Sequence, residues 1–156
     1  MSKQLAKLQI STAEEMNEFG IKLASVLKAG DLVILTGPLG AGKTTFTRGV
    51  GAGLKVIGNV SSPTFVIART HKRENSDVPL VHADAYRLSS VHEFDDLDID
   101  IERSIVLVEW GRGFAEELAD SWLDIEIERD HTGESEVREV TLTAVGQRWE
   151  NEVLFA

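Results

Sequence analysis

Cysteine is absent from the 156 residues, which excludes disulfides, thiolate metal sites and a cysteine nucleophile, and makes a zinc site unexpected. Basic residues are scarce: 16 Lys and Arg stand against 26 Asp and Glu, a formal net charge of −10. Such a surface repels polyanions, so a free-standing binder of nucleic-acid backbone is not expected, and any nucleic acid must be reached through a partner. Long apolar runs are lacking as well. No window approaches the roughly 18 residues of a membrane span, and Met1-Ser2-Lys3-Gln4-Leu5-Ala6 has no apolar stretch of the kind a secretory signal carries. No membrane contact is expected, and the cytoplasm is the expected address. Internal repeats and low-complexity linkers are missing too.

What is present is ordinary for a folded chain, with 42% hydrophobic and 27% charged residues. The length encloses one sheet-and-helix core but not a second, so a single domain over residues 1–156 is expected. Leu8 and Ile10 alternate with polar neighbours as in a short strand, and Ser11-Thr12-Ala13-Glu14-Glu15 offers overlapping capping boxes for a helix over about 13–28 that ends at Gly30. Leu32 to Thr36 and Ser104 to Glu109 are nearly continuous apolar runs, the pattern of strands buried on both faces. Phe65 to Ala68 and Leu80 to Ala83 read as two further strands, and Val91, Phe94 and Leu97 mark a short acidic helix. Leu123, Ile125, Ile127 and then Val140, Leu142, Ala144 alternate with polar residues on either side of Asp130-His131-Thr132-Gly133, which predicts an antiparallel hairpin.

Gly37-Pro38-Leu39-Gly40-Ala41-Gly42-Lys43-Thr44 follows the first buried strand and opens a helix expected to run to about Gly53. The pattern G-x-x-x-x-G-K-[ST] in that setting is specific for a phosphate loop. Its glycines let successive backbone N–H groups curl around a phosphate that also meets the helix N-terminus. Pro38 has no N–H to give, so the cradle is expected from Leu39, Gly40, Ala41, Gly42, Lys43 and Thr44, with Thr45 next in line. Lys43 is expected to reach the β- and γ-phosphates of a nucleotide, and the Thr44 hydroxyl to ligate Mg2+. Gly49, Gly51 and Gly53 weaken the helix intrinsically and are expected to permit close packing.

Such a loop needs an acidic partner for Mg2+ or for the attacking water, and Glu109 fits best, carried to a strand end by Ile105 to Val108. Asp84 ends another apolar strand. It either shares that metal environment or caps the turn before Tyr86. His82 on the same strand reads as a buried, hydrogen-bonded histidine rather than a ligand. Arg87 is placed either as an arginine finger in cis or in a salt bridge with the acidic helix, and Trp110 either covers the nucleotide or belongs to the core.

No asparagine begins the Asn-Lys-x-Asp run with which many GTPases read guanine, and Asp130-His131-Thr132-Gly133 matches D-x-x-G literally but by chance, since it falls at the predicted hairpin far past the metal-binding strands. No cluster of arginines suggests the lid of a small-molecule kinase. A kinase and a nucleotide-gated interaction module remain as alternatives to an ATP hydrolase.

Four segments in order resemble the TsaE (YjeE) ATPases of bacterial tRNA threonylcarbamoyladenosine synthesis. They are Leu39 to Gly49, Ser62-Pro63-Thr64-Phe65, His82-Ala83-Asp84-Ala85-Tyr86-Arg87-Leu88 and Val108-Glu109-Trp110, within roughly residues 12–128. The resemblance implies a three-layer α/β P-loop fold whose mixed sheet is parallel in the centre and antiparallel in the C-terminal hairpin. It also implies a magnesium-dependent ATPase that assists the TsaB–TsaD pair and meets tRNA only through that complex. Carried over to these positions, Lys43 and Thr44 hold phosphate and Mg2+, Glu109 supplies the metal or water-positioning carboxylate, Asp84 supports it, and Thr64 senses the γ-phosphate. The chain departs from the pattern at Pro38, where many relatives carry an acidic residue, and in the acidic stretch from Asp95 to Asp100.

Overall fold

The computed structural model describes residues 2–38, 40–58, 60, 68–86, 88, 90–113, 115–129 and 135–151, with Ser2, Val91 and Asp95 described by their backbone alone. Leu39, Arg87, the segment Ser62-Pro63-Thr64-Phe65 and the turn Asp130-His131-Thr132-Gly133 therefore lie outside the described residues.

The elements in chain order are β1 (Ser2–Ile10), α1 (Ala13–Ala24), β2 (Leu32–Thr36), α2 (Lys43–Leu54), β3 (Ala68–His71), β4 (Leu80–Asp84), α3 (Val91–Asp95), β5 (Ile105–Glu109), β6 (Trp122–Arg129) and β7 (Arg138–Val145), with 3-10 turns at Ile101–Arg103, Glu116–Leu118 and Gln147–Trp149. The strands form one seven-stranded sheet in the order β1-β7-β6-β2-β5-β4-β3. The pairs β6/β2, β2/β5 and β5/β4 are parallel, whereas β3/β4, β6/β7 and β7/β1 are antiparallel. The sheet is thus parallel in the centre and carries the expected C-terminal hairpin, with a second antiparallel edge at β3.

Residues along the central strands alternate between two cores, as a pleated sheet requires. Val33 and Leu35 of β2 and Leu107 of β5 join Phe19 and Leu23 of α1 and Phe46 and Val50 of α2 on one face. Leu32, Ile34, Val106 and Val108 meet Phe94 and Ala115 on the other. Burial on both faces explains why these strands read as unbroken apolar runs. The layers are unequal: α1 and α2 cover one face, and α3 with the two 3-10 turns before and after β5 covers the other.

Helix α1 starts as its sequence dictates. The Thr12 hydroxyl accepts the Glu15 N–H at 3.1 Å, and the Glu15 carboxylate accepts the Ser11 N–H at 3.1 Å. It stops at Ala24, four residues short of the expected end, because Ser25, Val26 and Leu27 tighten into i to i−3 hydrogen bonds. Gly30 has φ 94°, but its N–H donates to Ser104 O rather than closing the helix. Strand β1 is longer than Leu8 and Ile10 suggested, since it pairs with β7 from Ser2 to Ile10. The α1–α2 contact depends on two glycines that face each other's helix. A Cβ on Gly20 would collide with the Phe46 carbonyl oxygen, and one on Gly49 with the Asn17 carbonyl oxygen. That close approach fixes α2, and with it Lys43, against the sheet.

Candidate active site

The phosphate loop leaves β2 and enters α2 at Lys43. Gly40 and Gly42 take φ of 79° and 109°, a left-handed region that costs other residues and is free to glycine. The Ala41 N–H donates to Pro38 O at 3.0 Å, closing the turn. Gly42 is the N-cap of α2 and brings no side-chain acceptor, and the helix's first turn carries no acidic residue. Its leading N–H groups are therefore open toward an anion. Thr44 and Thr45, half-buried, follow Lys43 in that first turn.

Lys43 is almost fully enclosed, at 9% exposure. Its ammonium donates to Gly37 O at 2.6 Å and lies 4.1 Å from the centre of the Trp110 ring. Burial pushes its pKa below the usual lysine value, and the negative charges of Glu109 and Asp84 work against that fall. The backbone of α2 is tied beneath it by the Thr47 hydroxyl, which donates to Lys43 O at 2.7 Å.

Glu109 and Asp84 end the adjacent parallel strands β5 and β4 and are register partners. Both stand on the α2 face of the sheet, in step with Leu107 on β5 and with Leu80 on β4. Glu109 is not a solvated strand-end residue: it is 4% exposed, and its Oε2 lies 2.7 Å from His82 Nε2. Asp84 accepts the Tyr86 N–H on Oδ1 at 2.9 Å, so it caps that turn and also faces Glu109. Burial raises the Asp84 pKa against the pull of the Tyr86 N–H, and the Glu109 charge adds to the rise while Lys43 and His82 work against it. A carboxyl held in this way gains from a nearby cation. Among the described residues no group of three or more His, Asp and Glu side chains is placed to hold a metal by itself. Mg2+ takes one or two carboxylates together with substrate phosphates and water, and Glu109 and Asp84 are two adjoining carboxylates. One carboxylate oxygen on each of Glu109 and Asp84 has no partner among the described residues.

Trp110 follows Glu109 with φ 59°, a conformation that costs a bulky residue on the order of 1–3 kcal/mol and is often kept at functional sites. Its N–H donates to Leu35 O at 2.8 Å, and the turn lays its ring between Lys43 and the exposed Tyr86, whose ring centre is 5.4 Å away. Trp110 is thus half-buried over the site rather than part of either core. The loop after it is tied down by Arg112, whose guanidinium donates to Asp124 at 2.8 and 3.0 Å and to Glu126 at 3.2 Å.

Sequence reading did not reach Arg129 and Arg138. They are register partners across the β6/β7 hairpin. Arg138 Nη2 donates weakly to Gly40 O at 3.4 Å, and Arg129 Nη1 sits 2.7 Å from where a Gly40 Cβ would be. No local pattern signals them, since only the hairpin register brings them to the phosphate loop.

The family model described as threonylcarbamoyl adenosine biosynthesis protein TsaE matches residues 10–140. A protein of Streptomyces coelicolor named tRNA threonylcarbamoyladenosine biosynthesis protein TsaE is 54% identical over 139 residues, covering 86% of this chain and 93% of the relative. The protein of that name from Bacillus subtilis is 40% identical over 151 residues, 95% of this chain and 90% of the relative. The crystal structure of Bacillus subtilis YdiB superimposes with a TM-score of 0.72 at 35% identity, covering 96% of this chain and 91% of that one. The matched span takes in the phosphate loop and both carboxylate-bearing strands, and on it the chain belongs to the TsaE family.

Proposed function

We propose that this protein binds ATP with Mg2+ and hydrolyses it in support of tRNA threonylcarbamoyladenosine biosynthesis, working with TsaB and TsaD and reaching tRNA through them. The pathway is the one for which the relatives are named. The observation that carries the chemistry is the placement of Lys43 between an open helix N-terminus and the Glu109–Asp84 strand ends.

In this reading the N–H groups from Gly40 to Thr44 bind the phosphates, and Lys43 exchanges Gly37 O for phosphate oxygens as negative charge develops there. Mg2+, held by the Thr44 hydroxyl with Glu109 and Asp84, would neutralise charge on the β- and γ-phosphates. Glu109 orients the attacking water, and its burial keeps bulk solvent from competing for the carboxylate. Trp110 and Tyr86 cover the mouth of the site. An arginine finger brought by a partner would speed P-loop hydrolysis by some 10³–10⁵, so the isolated chain is expected to turn over slowly.

The test is multiple-turnover threonylcarbamoylation of tRNA by TsaB and TsaD, with and without this protein and its Lys43→Ala variant. The wild type is expected to raise turnover, and the variant to lose about 10²-fold or more of that effect. ATP hydrolysis without any rise in tRNA turnover removes the pathway role. A phosphorylated small molecule as product, in place of free phosphate, turns the reading to a kinase.

A further inference from the structure

We infer that His82 is a positioning residue for Glu109: its Nε2–H holds one carboxylate oxygen so that the other faces the reacting phosphate. The inference rests on the reading of Glu109 given above and assigns a role to a side chain which that reading leaves unused.

The argument starts from the register. His82 pairs with Leu107 and Asp84 with Glu109 across the parallel β4/β5 ladder, so His82 and Glu109 are diagonal neighbours. Residues two apart on a strand share a face, which brings the imidazole against the carboxylate from the core side. The contact is short and dry: Nε2 to Oε2 is 2.7 Å, His82 is 0% exposed and Glu109 4%. His82 Nδ1 is buried with no hydrogen-bond partner among the described residues. Among the described residues the acceptor that faces the ring is the Glu109 carboxylate at Nε2, so the ring donates there.

A glutamate has three rotatable bonds, and a buried one left without a donor would turn toward whatever N–H lay nearest. Fixing Oε2 removes that freedom and leaves Oε1, which has no partner among the described residues, as the acceptor aimed at the site. This is the arrangement by which groups behind a catalytic carboxylate hold it in the productive geometry, and such partners are commonly worth 10–100-fold. Direct phosphate contacts run through Lys43 and the loop amides instead, so His82 should act on turnover and leave the affinity for nucleotide without Mg2+ alone.

Steady-state hydrolysis and nucleotide affinity of the full chain, with melting temperature as a folding control, test this on five variants. His82→Leu is expected to lower kcat about 10–100-fold with the Kd for ATP measured without Mg2+ unchanged, and His82→Gln, whose amide can reach where Nε2 stood, to recover most of the loss. Adding His82→Leu to Glu109→Gln should cost nothing further, because the residue it positions is already gone. Where His82→Leu folds too poorly to assay, His82→Asn, with a donor too short to reach Glu109, takes its place and should behave alike. Three results overturn the inference alone: full kcat in His82→Leu, equal impairment of the Gln and Asn variants, or additive losses in the double variant. Full kcat in Glu109→Gln removes the reading of Glu109 and the inference with it.

Discussion

The ammonium group of Lys43 rests 4.1 Å from the centre of the Trp110 ring and donates to Gly37 O at 2.6 Å. A phosphate entering the loop competes for that ammonium, so nucleotide binding must alter the surroundings of Trp110. Titration with ATP and Mg2+ is therefore expected to change tryptophan emission. Trp122 and Trp149 also fluoresce, so the assignment needs the Trp110→Phe variant, in which the change should be lost while nucleotide still binds. A full signal in Trp110→Phe would show that the lysine and the ring do not part on binding.

The same burial that lowers the Lys43 pKa gives nucleotide affinity an alkaline limb. The sign follows from the charge: Lys43 attracts phosphate only while protonated, and a pKa held below 10.5 means the proton leaves at a lower pH than from a free lysine. ATP affinity measured by calorimetry should begin to fall before pH 10.5 is reached. In Lys43→Arg, which stays protonated throughout, that decline should vanish. Parallel declines in wild type and Lys43→Arg would place the titrating group elsewhere.

Close packing of α1 on α2 predicts a cost for the smallest possible enlargement. Gly49→Ala gains up to about 1 kcal/mol of helix propensity, yet its methyl group would meet the Asn17 carbonyl oxygen, a backbone atom that cannot swing aside. The helices must separate, and overpacking of this kind costs about 1–3 kcal/mol. Urea denaturation should show a net loss of stability. A stability gain, the result expected for alanine in an open helix, would mean the two helices are not locked together.

How far the sequence carried this fold depended on whether the deciding contacts were local. β2, β5 and the β6/β7 hairpin were legible because their burial patterns are written directly in apolar runs and alternation. The phosphate loop was legible because backbone chemistry demands Gly40, Gly42 and Lys43 at fixed spacing. The full length of β1 was not, since most of it is an exposed or half-exposed edge strand defined by pairing with β7. The site shows the same division. Glu109 and Asp84 could be placed at strand ends from their apolar approach, but the stacking of Trp110 on Lys43 follows from a left-handed turn that no residue pattern announces.

The turn that follows the early end of α1 is secured from far along the chain, and that tie can be tested by removing it. Arg148, from the chain beyond β7, donates to Val26 O at 2.9 Å and to both oxygens of Asp31 at 3.0 and 3.2 Å, which secures the turn between α1 and β2. Asp31 is 3% exposed, and burial already raises its pKa above 3.8 despite the Arg148 charge and the Lys28 N–H. Arg148→Ala would leave that carboxylate buried without its cation, a loss of about 3 kcal/mol at neutral pH. The deficit should depend on pH. With its folded pKa raised further, Asp31 in the variant holds a proton that the unfolded chain has released, so stability falls as pH rises through that pKa. Denaturation of both proteins between pH 4 and 7.5 should therefore show the gap narrowing toward the acid end, as protonation removes the stranded charge. A gap independent of pH would mean that Arg148 stabilises this corner by its bond to Val26 and its packing on Trp149, with its charge contributing nothing.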